Sequence, residues 1–84
     1  MTREEMFTAV KGHIERIVEG TAGKTITEDL SMTDLGADSL EIVEVVSRSM
    51  KELRIRVPRT ELSSAKNLKE LLDLFEKAAS SPTP

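Results

Sequence analysis

The chain has 84 residues, a net charge of −3, 38% hydrophobic residues and only 2% aromatic residues, which suits one small domain with a single core. The absence of cysteine excludes disulfides and a cysteine-ligated zinc site and, with no signal peptide behind the charged N-terminus, predicts a cytoplasmic protein. No apolar run is long enough to cross a membrane, and an acidic chain with so few aromatic rings is poorly suited to nucleic acid.

The first helix begins at a capping-box pattern, in which Thr2 and Glu5 each accept a hydrogen bond from the other residue's backbone amide. Apolar residues at helical spacing follow, and Gly20 and Gly23 are expected to end this helix. The connection over residues 20–37 is long for a compact domain, which is typical of a loop that carries function. Short helical turns are expected within it.

A second capping-box pattern, Asp38 with Glu41, predicts that the second helix begins near Asp38 or Ser39 and runs to about Leu53. Its β-branched residues are mildly unfavourable in a helix, so the segment depends on burial and on its cap. Leu40 is expected to anchor the preceding turn so that Ser39 faces outward. The stripe expected to face the core comprises Leu40, Val43, Val46, Met50 and Leu53.

The remaining sequence predicts two further helices. Residues 54–58 are expected to form an extended loop, because Pro58 and the lack of a second strand candidate argue against a sheet. A short third helix is expected over residues 60–65, and Asn67 with Glu70 forms a capping box for the last helix. Because the core must come mainly from aliphatic side chains, the sequence predicts an all-α protein with helices packed on helices.

Charge is distributed unevenly along the chain. Residues 28–44 contain six acidic residues and no Lys or Arg, whereas residues 45–60 contain five basic residues and one acidic residue. Isolated charges usually belong to a solvated face, but the acidic block surrounds Ser39. It therefore predicts basic partner proteins that are steered to this end of the domain by charge.

Ser39 has the most specific context in the chain. Gly36 can take the positive φ that a sharp turn into the helix needs, and the helix N-terminus favours a negatively charged group on the serine. A catalytic serine would need a general base, and the one histidine, His13, lies on the first helix. We therefore predict a serine that another enzyme modifies, with no catalytic residue and no resident metal site in this chain.

The run Asp34-Leu35-Gly36-Ala37-Asp38-Ser39-Leu40, followed by an amphipathic helix, resembles the 4'-phosphopantetheine attachment site of acyl carrier proteins. The resemblance reaches from the first helix to Phe75. It implies a four-helix bundle of acyl-carrier-protein type, with three long helices, one short helix and a long loop between the first two. It also implies that Ser39, flanked by Asp38 and Leu40, carries phosphopantetheine from coenzyme A and holds acyl groups as thioesters.

The resemblance further implies that the second helix recognises partner enzymes through Leu40, Glu41, Val43 and Glu44. Arg48 and Lys51 complete the predicted recognition set, since the chain turns basic after Val46 where typical fatty acid carriers stay acidic. This departure favours a discrete carrier of a specialised polyketide or lipopeptide pathway. We assign residues 1–79 to the carrier domain and expect residues 80–84 to form a disordered tail.

The expected partners are a phosphopantetheinyl transferase, an acyl-loading ligase or acyltransferase, and a ketosynthase or other condensing enzyme, with the carrier itself a monomer. Two alternatives stay open: a carrier for fatty acid synthesis, and an unmodified helical module that binds a protein through its charged patches. A cargo chain could lie between the second and third helices, although the residues there could equally serve only as core. These residues are Val43, Val46, Leu62 and Leu68.

Overall fold

The computed structural model describes residues 2–80, the last of them by its backbone alone. Within this range the chain forms four helices and no strand, which confirms the predicted all-α class and the order of three long helices and one short helix. The helices are α1 (Arg3–Ile17), α2 (Ser39–Leu53), α3 (Arg59–Leu62) and α4 (Leu68–Ser80). Of the tail predicted over residues 80–84, Ser80 is instead the last residue of α4, and residues 81–84 lie outside the described residues.

The first helix begins as its sequence predicts and ends earlier than expected. The amide of Glu5 donates to Thr2 Oγ1 at 3.1 Å, and the amide of Thr2 donates to Glu5 Oε1 at 2.8 Å, so the capping box is confirmed. The helix ends at Ile17, because Val18 is already extended. The buried hydroxyl of Thr21 donates to the carbonyl of Val18 at 2.7 Å, so a threonine closes this helix end and the glycines only shape the turn that follows.

The long loop over residues 20–37 is held against the start of α4. The amide of Lys69 donates to the carbonyl of Glu28 at 2.8 Å, and the amide of Leu68 donates to the carbonyl of Leu30 at 2.9 Å. The first amides of a helix have no partner within the helix, so the loop supplies acceptors that α4 needs. The expected short turns are present on either side of Leu30.

Arg3 joins α1, the loop and α4. Its guanidinium lies 2.6 Å from Glu28 Oε1 and 2.8 Å from Asp73 Oδ1, and it also contacts Glu76. The hydrogen bond from Arg3 to Glu28 raises the pKa of the guanidinium above its ordinary value, so this group stays charged. The arginine therefore fixes the loop that leads towards α2.

The short third helix and the last helix differ in detail from their predictions. The third helix is one turn, Arg59–Leu62, and Pro58 at its N-cap follows the expected extended segment. The amide of Glu70 donates to Asn67 Oδ1 at 2.9 Å as predicted, but Glu70 Oε1 accepts from the amide of Lys66 and not from that of Asn67. The predicted box is thus half correct, because the turn after α3 brings the preceding amide within reach.

The hydrophobic core lies where α1 packs against α2 and α4, with α3 packed against α4. Its largest fully buried apolar side chains are Phe75, Met6, Ile14, Leu68, Leu72, Val10 and Val45. Most are aliphatic, as the composition requires.

Candidate functional site

Ser39 is the first residue of α2 and is exposed to solvent, which confirms the expected outward position. Its hydroxyl makes no hydrogen bond with any of the residues described. The hydroxyls of other serines in this part of the chain are largely occupied: Ser31, Ser49, Ser63 and Ser64 each bond to the backbone. The Ser39 hydroxyl is thus free to react.

Asp38 and Glu41 set the position of this serine. The amide of Glu41 donates to Asp38 Oδ1 at 2.8 Å, and the amide of Asp38 donates to Glu41 Oε1 at 3.0 Å, which is the predicted capping box. The amides of Ser39 and Leu40 find no acceptor within the described chain. Two unpaired amides and the positive end of the helix dipole therefore lie beside the serine hydroxyl, where they favour an anion.

The turn before α2 is closed by short-range hydrogen bonds. The amide of Ser31 donates to Asp34 Oδ2 at 3.0 Å, and the amide of Asp34 donates back to Ser31 Oγ at 2.9 Å. The bond from the Ser31 amide lowers the pKa of the Asp34 carboxyl, so this carboxylate is ionised and occupied within the turn. Gly36 has φ +94°, a value that only glycine adopts without strain, as predicted.

The prediction that Leu40 anchors this turn is wrong. Leu40 is 81% exposed, whereas Leu35 and Ala37 are 5% and 7% exposed and hold the turn against the core. The buried face of α2 is centred on Val45 and Ser49, and Leu40 lies five residues before Val45, which places it on a different side of a helix with 3.6 residues per turn. The sequence pattern of one helix does not show which of its faces the neighbouring helices cover.

Val43 is also misplaced in the predicted buried stripe, since it is 55% exposed. Leu40 and Val43 are the exposed large hydrophobic residues within residues 2–79, and both lie within about one helical turn of Ser39. Exposed apolar side chains beside a functional group commonly mark a contact surface. Ser49 is fully buried, and its hydroxyl donates to the carbonyl of Val45, so the polar group is satisfied within the core.

The charged residues of the predicted recognition set have different surroundings. Glu41 is half-buried and serves the capping box. Arg48 Nη2 lies 3.1 Å from Glu44 Oε1, one turn earlier on the exposed surface. Lys51 is exposed and has no carboxylate partner among the residues described. The surface of α2 is therefore acidic beside Ser39 and basic at its far end, with the Glu44–Arg48 ion pair between these two regions.

A groove between α2 and α3 opens close to this surface. It has a volume of about 410 Å³ and is mainly apolar, with Ser47, Arg59 and Ser63 as its polar members. A smaller cavity of about 100 Å³ lies behind it, reaching the loop and α4. Val43, Val46 and Leu62 line the larger space and Leu68 the smaller, so the space predicted between these helices is present.

Among the described residues, the one histidine lies far from Ser39. His13 Nε2 lies 2.7 Å from Glu52 Oε1 near the C-terminal end of α2, about 20 Å along the helix from Ser39. Within residues 2–80 there is no cluster of His, Asp and Glu that could hold a metal ion. No helix in this range is both long and apolar enough to span a bilayer.

Comparison with known proteins places this chain in a family. Residues 10–75 match the family model described as phosphopantetheine attachment site. The polyketide biosynthesis acyl-carrier protein AcpK of Bacillus subtilis strain 168 is 28% identical over 95% of this chain and 99% of its own length. An acyl carrier protein of Thermotoga maritima is 31% identical over 90% of this chain and 94% of its own length.

A solved structure gives the same result. An acetyl-donor acyl carrier protein, crystallised in complex with the HMG synthase of the curacin biosynthetic pathway, matches with a TM-score of 0.82 and 32% identity. The match covers 95% of this chain and 100% of that one. The chain belongs to the phosphopantetheine attachment-site family as an acyl carrier protein. Its cofactor is covalent 4'-phosphopantetheine.

Proposed function

We propose that Ser39 is the phosphopantetheine attachment point and that the carrier serves polyketide biosynthesis. The single observation that carries this proposal is the free, exposed Ser39 hydroxyl at the start of α2, beside two amides without partners in the described chain. Ser47 is also exposed and unbonded on the same helix, but it lies two turns further on, where the amides are used within the helix. It lacks the surroundings that favour a phosphate.

The residues present fit the group. The amides of Ser39 and Leu40 would lie beside the phosphodiester formed on the serine, and the carboxylates of Asp38 and Asp34 are each occupied by a backbone amide. When bound, phosphopantetheine supplies a thiol on a flexible arm, which holds an acyl group as a thioester. The carrier binds and presents this arm and catalyses no step itself.

Partner enzymes would meet the surface next to the arm. Leu40 and Val43 supply apolar contact there, and the partly buried Glu41 supplies negative charge, as does Glu44, whose carboxylate also contacts Arg48. A basic rim around the entrance of a partner's active site complements this arrangement and speeds encounter. A phosphopantetheinyl transferase and an acyl-loading enzyme are two such partners.

The enzyme that receives the acyl group is a condensing enzyme in this proposal. The similarity to a carrier crystallised with an HMG synthase, and to a polyketide carrier over almost the whole chain, supports an acyl-donor role of that kind. A cytoplasmic location and a monomeric state belong to the same proposal. The absence of cysteine supports the location.

The donor role is tested by loading the arm with an acetyl group from acetyl-coenzyme A and adding the curacin HMG synthase. The expected result is transfer of the acetyl group to the synthase, which leaves a free thiol on the carrier arm. Intact-mass spectrometry should show the acetyl mass lost from the carrier and gained by the synthase, and this transfer should be slower for Leu40→Asp and Val43→Asp. Ser47→Ala is the matched control and should behave as the parent chain. A carrier that is loaded but keeps its acetyl group would contradict the donor role and leave the attachment to Ser39 standing.

A further inference from the structure

The far end of α2 carries a concentration of unpaired positive charge. Half of the eight other lysines and arginines contact carboxylates: Arg3, Arg48, Lys69 and Lys77. The other half have no carboxylate partner within the described residues and are spread over the rest of the sequence: Lys11, Arg16, Lys24 and Lys66. The residues concentrated at the far end of α2 are exposed and have no carboxylate partner within the described chain. They are Lys51, Arg54, Arg56 and Arg59, and we refer to them as the basic pole.

The fold holds the basic pole in place. Arg54 and Arg56 alternate with Ile55, which is half-buried, and with Val57, which is only 6% exposed. The inward-facing apolar residues anchor the segment, so the arginines between them are displayed to solvent on a fixed backbone. Arg59 lines the groove between α2 and α3. The pole is thus built into the bundle and is not a mobile tail.

A purely structural role accounts for only part of this charge. A cation in the last turn of a helix interacts favourably with the helix dipole, which explains Lys51. Arg56 lies beyond the helix, and Arg59 is the first residue of α3, where a cation gains nothing from the dipole. Arg54 has φ +57°, a left-handed value that glycine would adopt with less strain. The backbone conformation at this position therefore does not account for an arginine.

The basic pole and the acidic surface beside Ser39 act independently. The 15 residues of α2 separate them by about 20 Å, whereas charges in physiological salt are screened over about 8 Å. An approaching protein therefore meets two local charges of opposite sign, and the net charge of −3 does not describe either of them.

We propose that the basic pole is a second docking point, which binds an acidic surface on the enzyme that receives the acyl group. The identity of that enzyme rests on the proposed function. The acidic charge expected of its surface does not, because it follows from the basic pole alone. Such a partner presents a basic rim to the region of Ser39 and an acidic patch about 20 Å away. This arrangement selects against partners that carry positive charge along the whole contact.

The test uses the unmodified chain, so its result is independent of phosphopantetheine. An Asp- and Glu-rich peptide is titrated into the isotope-labelled protein at about 0.15 M salt, and the amide resonances are followed by NMR. The expected shifts are concentrated at residues 51–59. The double variant Arg56→Glu/Arg59→Glu should weaken binding about tenfold, whereas Lys24→Glu/Lys66→Glu, with the same change in charge, should weaken it by less than about twofold.

Four results would overturn the proposal. Absence of peptide binding, or equal weakening by the two double variants, would show that the basic pole has no preference for an acidic surface. Tighter binding of a single-stranded oligonucleotide of equal charge at the same residues would favour nucleic acid. The same shifts produced by raising the protein concentration alone would assign the pole to a second copy of the chain.

Discussion

Asp38 and Glu41 exchange hydrogen bonds across the first turn of α2, each carboxylate accepting the other residue's amide at 2.8 and 3.0 Å. This reciprocal pair fixes where the helix starts and leaves Ser39 between its two members, with its own hydroxyl unused. The same carboxylates that cap the helix are thereby occupied, which keeps them from competing for the amides next to the serine. The cap and the reactive position are parts of one local arrangement.

Removal of this cap should cost stability. Asp38→Ala is expected to lower the free energy of unfolding by about 1 kcal/mol, because the amide of Glu41 loses its acceptor. Asp38→Asn retains an acceptor of similar quality and should lose far less. Urea unfolding followed by circular dichroism measures both. Equal losses in the two variants would show that the negative charge of Asp38, and not its hydrogen bond to the amide of Glu41, stabilises the helix.

Gly12 lies in the middle of α1, and a Cβ built there meets no atom within 4 Å. Gly12→Ala is therefore expected to raise the free energy of unfolding by about 1 kcal/mol, the usual difference between these residues in a helix. Gly36→Ala also meets open space, but its φ of +94° makes the same substitution destabilising. Thermal melts of both variants should move in opposite directions.

Arg54 is the non-glycine residue with a positive φ among the residues described. Arg54→Gly should stabilise the chain by about 1 kcal/mol, since glycine ends a helix in this conformation without a Cβ clash. Arg54→Ala removes the same charge and keeps the strain, so it should give little or no gain. The difference between the two melting temperatures isolates the backbone effect. A gain of equal size in both variants would instead indicate relief of charge repulsion.

Stability should fall in acid. Backbone amides lower the pKa of Glu5 and Asp34, and the Arg3 guanidinium lowers that of Asp73. A carboxyl with a lowered pKa in the folded chain stabilises it above the unfolded pKa of about 4, and this stabilisation disappears as the pH drops through the folded value. The melting temperature should hold from neutral pH to about pH 4 and decline below it.

Asp34→Asn provides the check on this pH dependence, because the amide side chain can still accept from Ser31 but does not titrate. Its melting temperature should decline less steeply below pH 4 than that of the parent chain. Identical curves would mean that Asp34 does not contribute to the acid response.

Local sequence patterns predict where the helices start. They do not predict which side chains are buried, because burial depends on packing between distant segments. The pairs Thr2–Glu5 and Asp38–Glu41 each span one helical turn, so the chain itself brings the partners together. The exposure of Leu40 depends on the neighbours of α2, which the helix pattern does not contain.

Two other features depend on contacts that the sequence patterns did not predict: the attachment of the long loop to α4 and the end of α1. The loop over residues 20–37 satisfies amides of α4, as in the bond from Lys69 to Glu28, and no pattern in either segment indicates that pairing. The end of α1 is set by the Thr21 hydroxyl, although glycine nearby is the stronger signal for a helix end. The position of Ser39 was predictable because every group that defines it lies within a few residues.

Attachment of phosphopantetheine to Ser39 is tested most directly by intact-mass spectrometry after incubation with coenzyme A, magnesium and a broad-specificity phosphopantetheinyl transferase. The parent chain and Ser47→Ala should each gain one phosphopantetheinyl group, and Ser39→Ala should gain none. A parent chain that gains no group, or a Ser39→Ala chain that still gains one, would contradict the assignment of Ser39 as the tether.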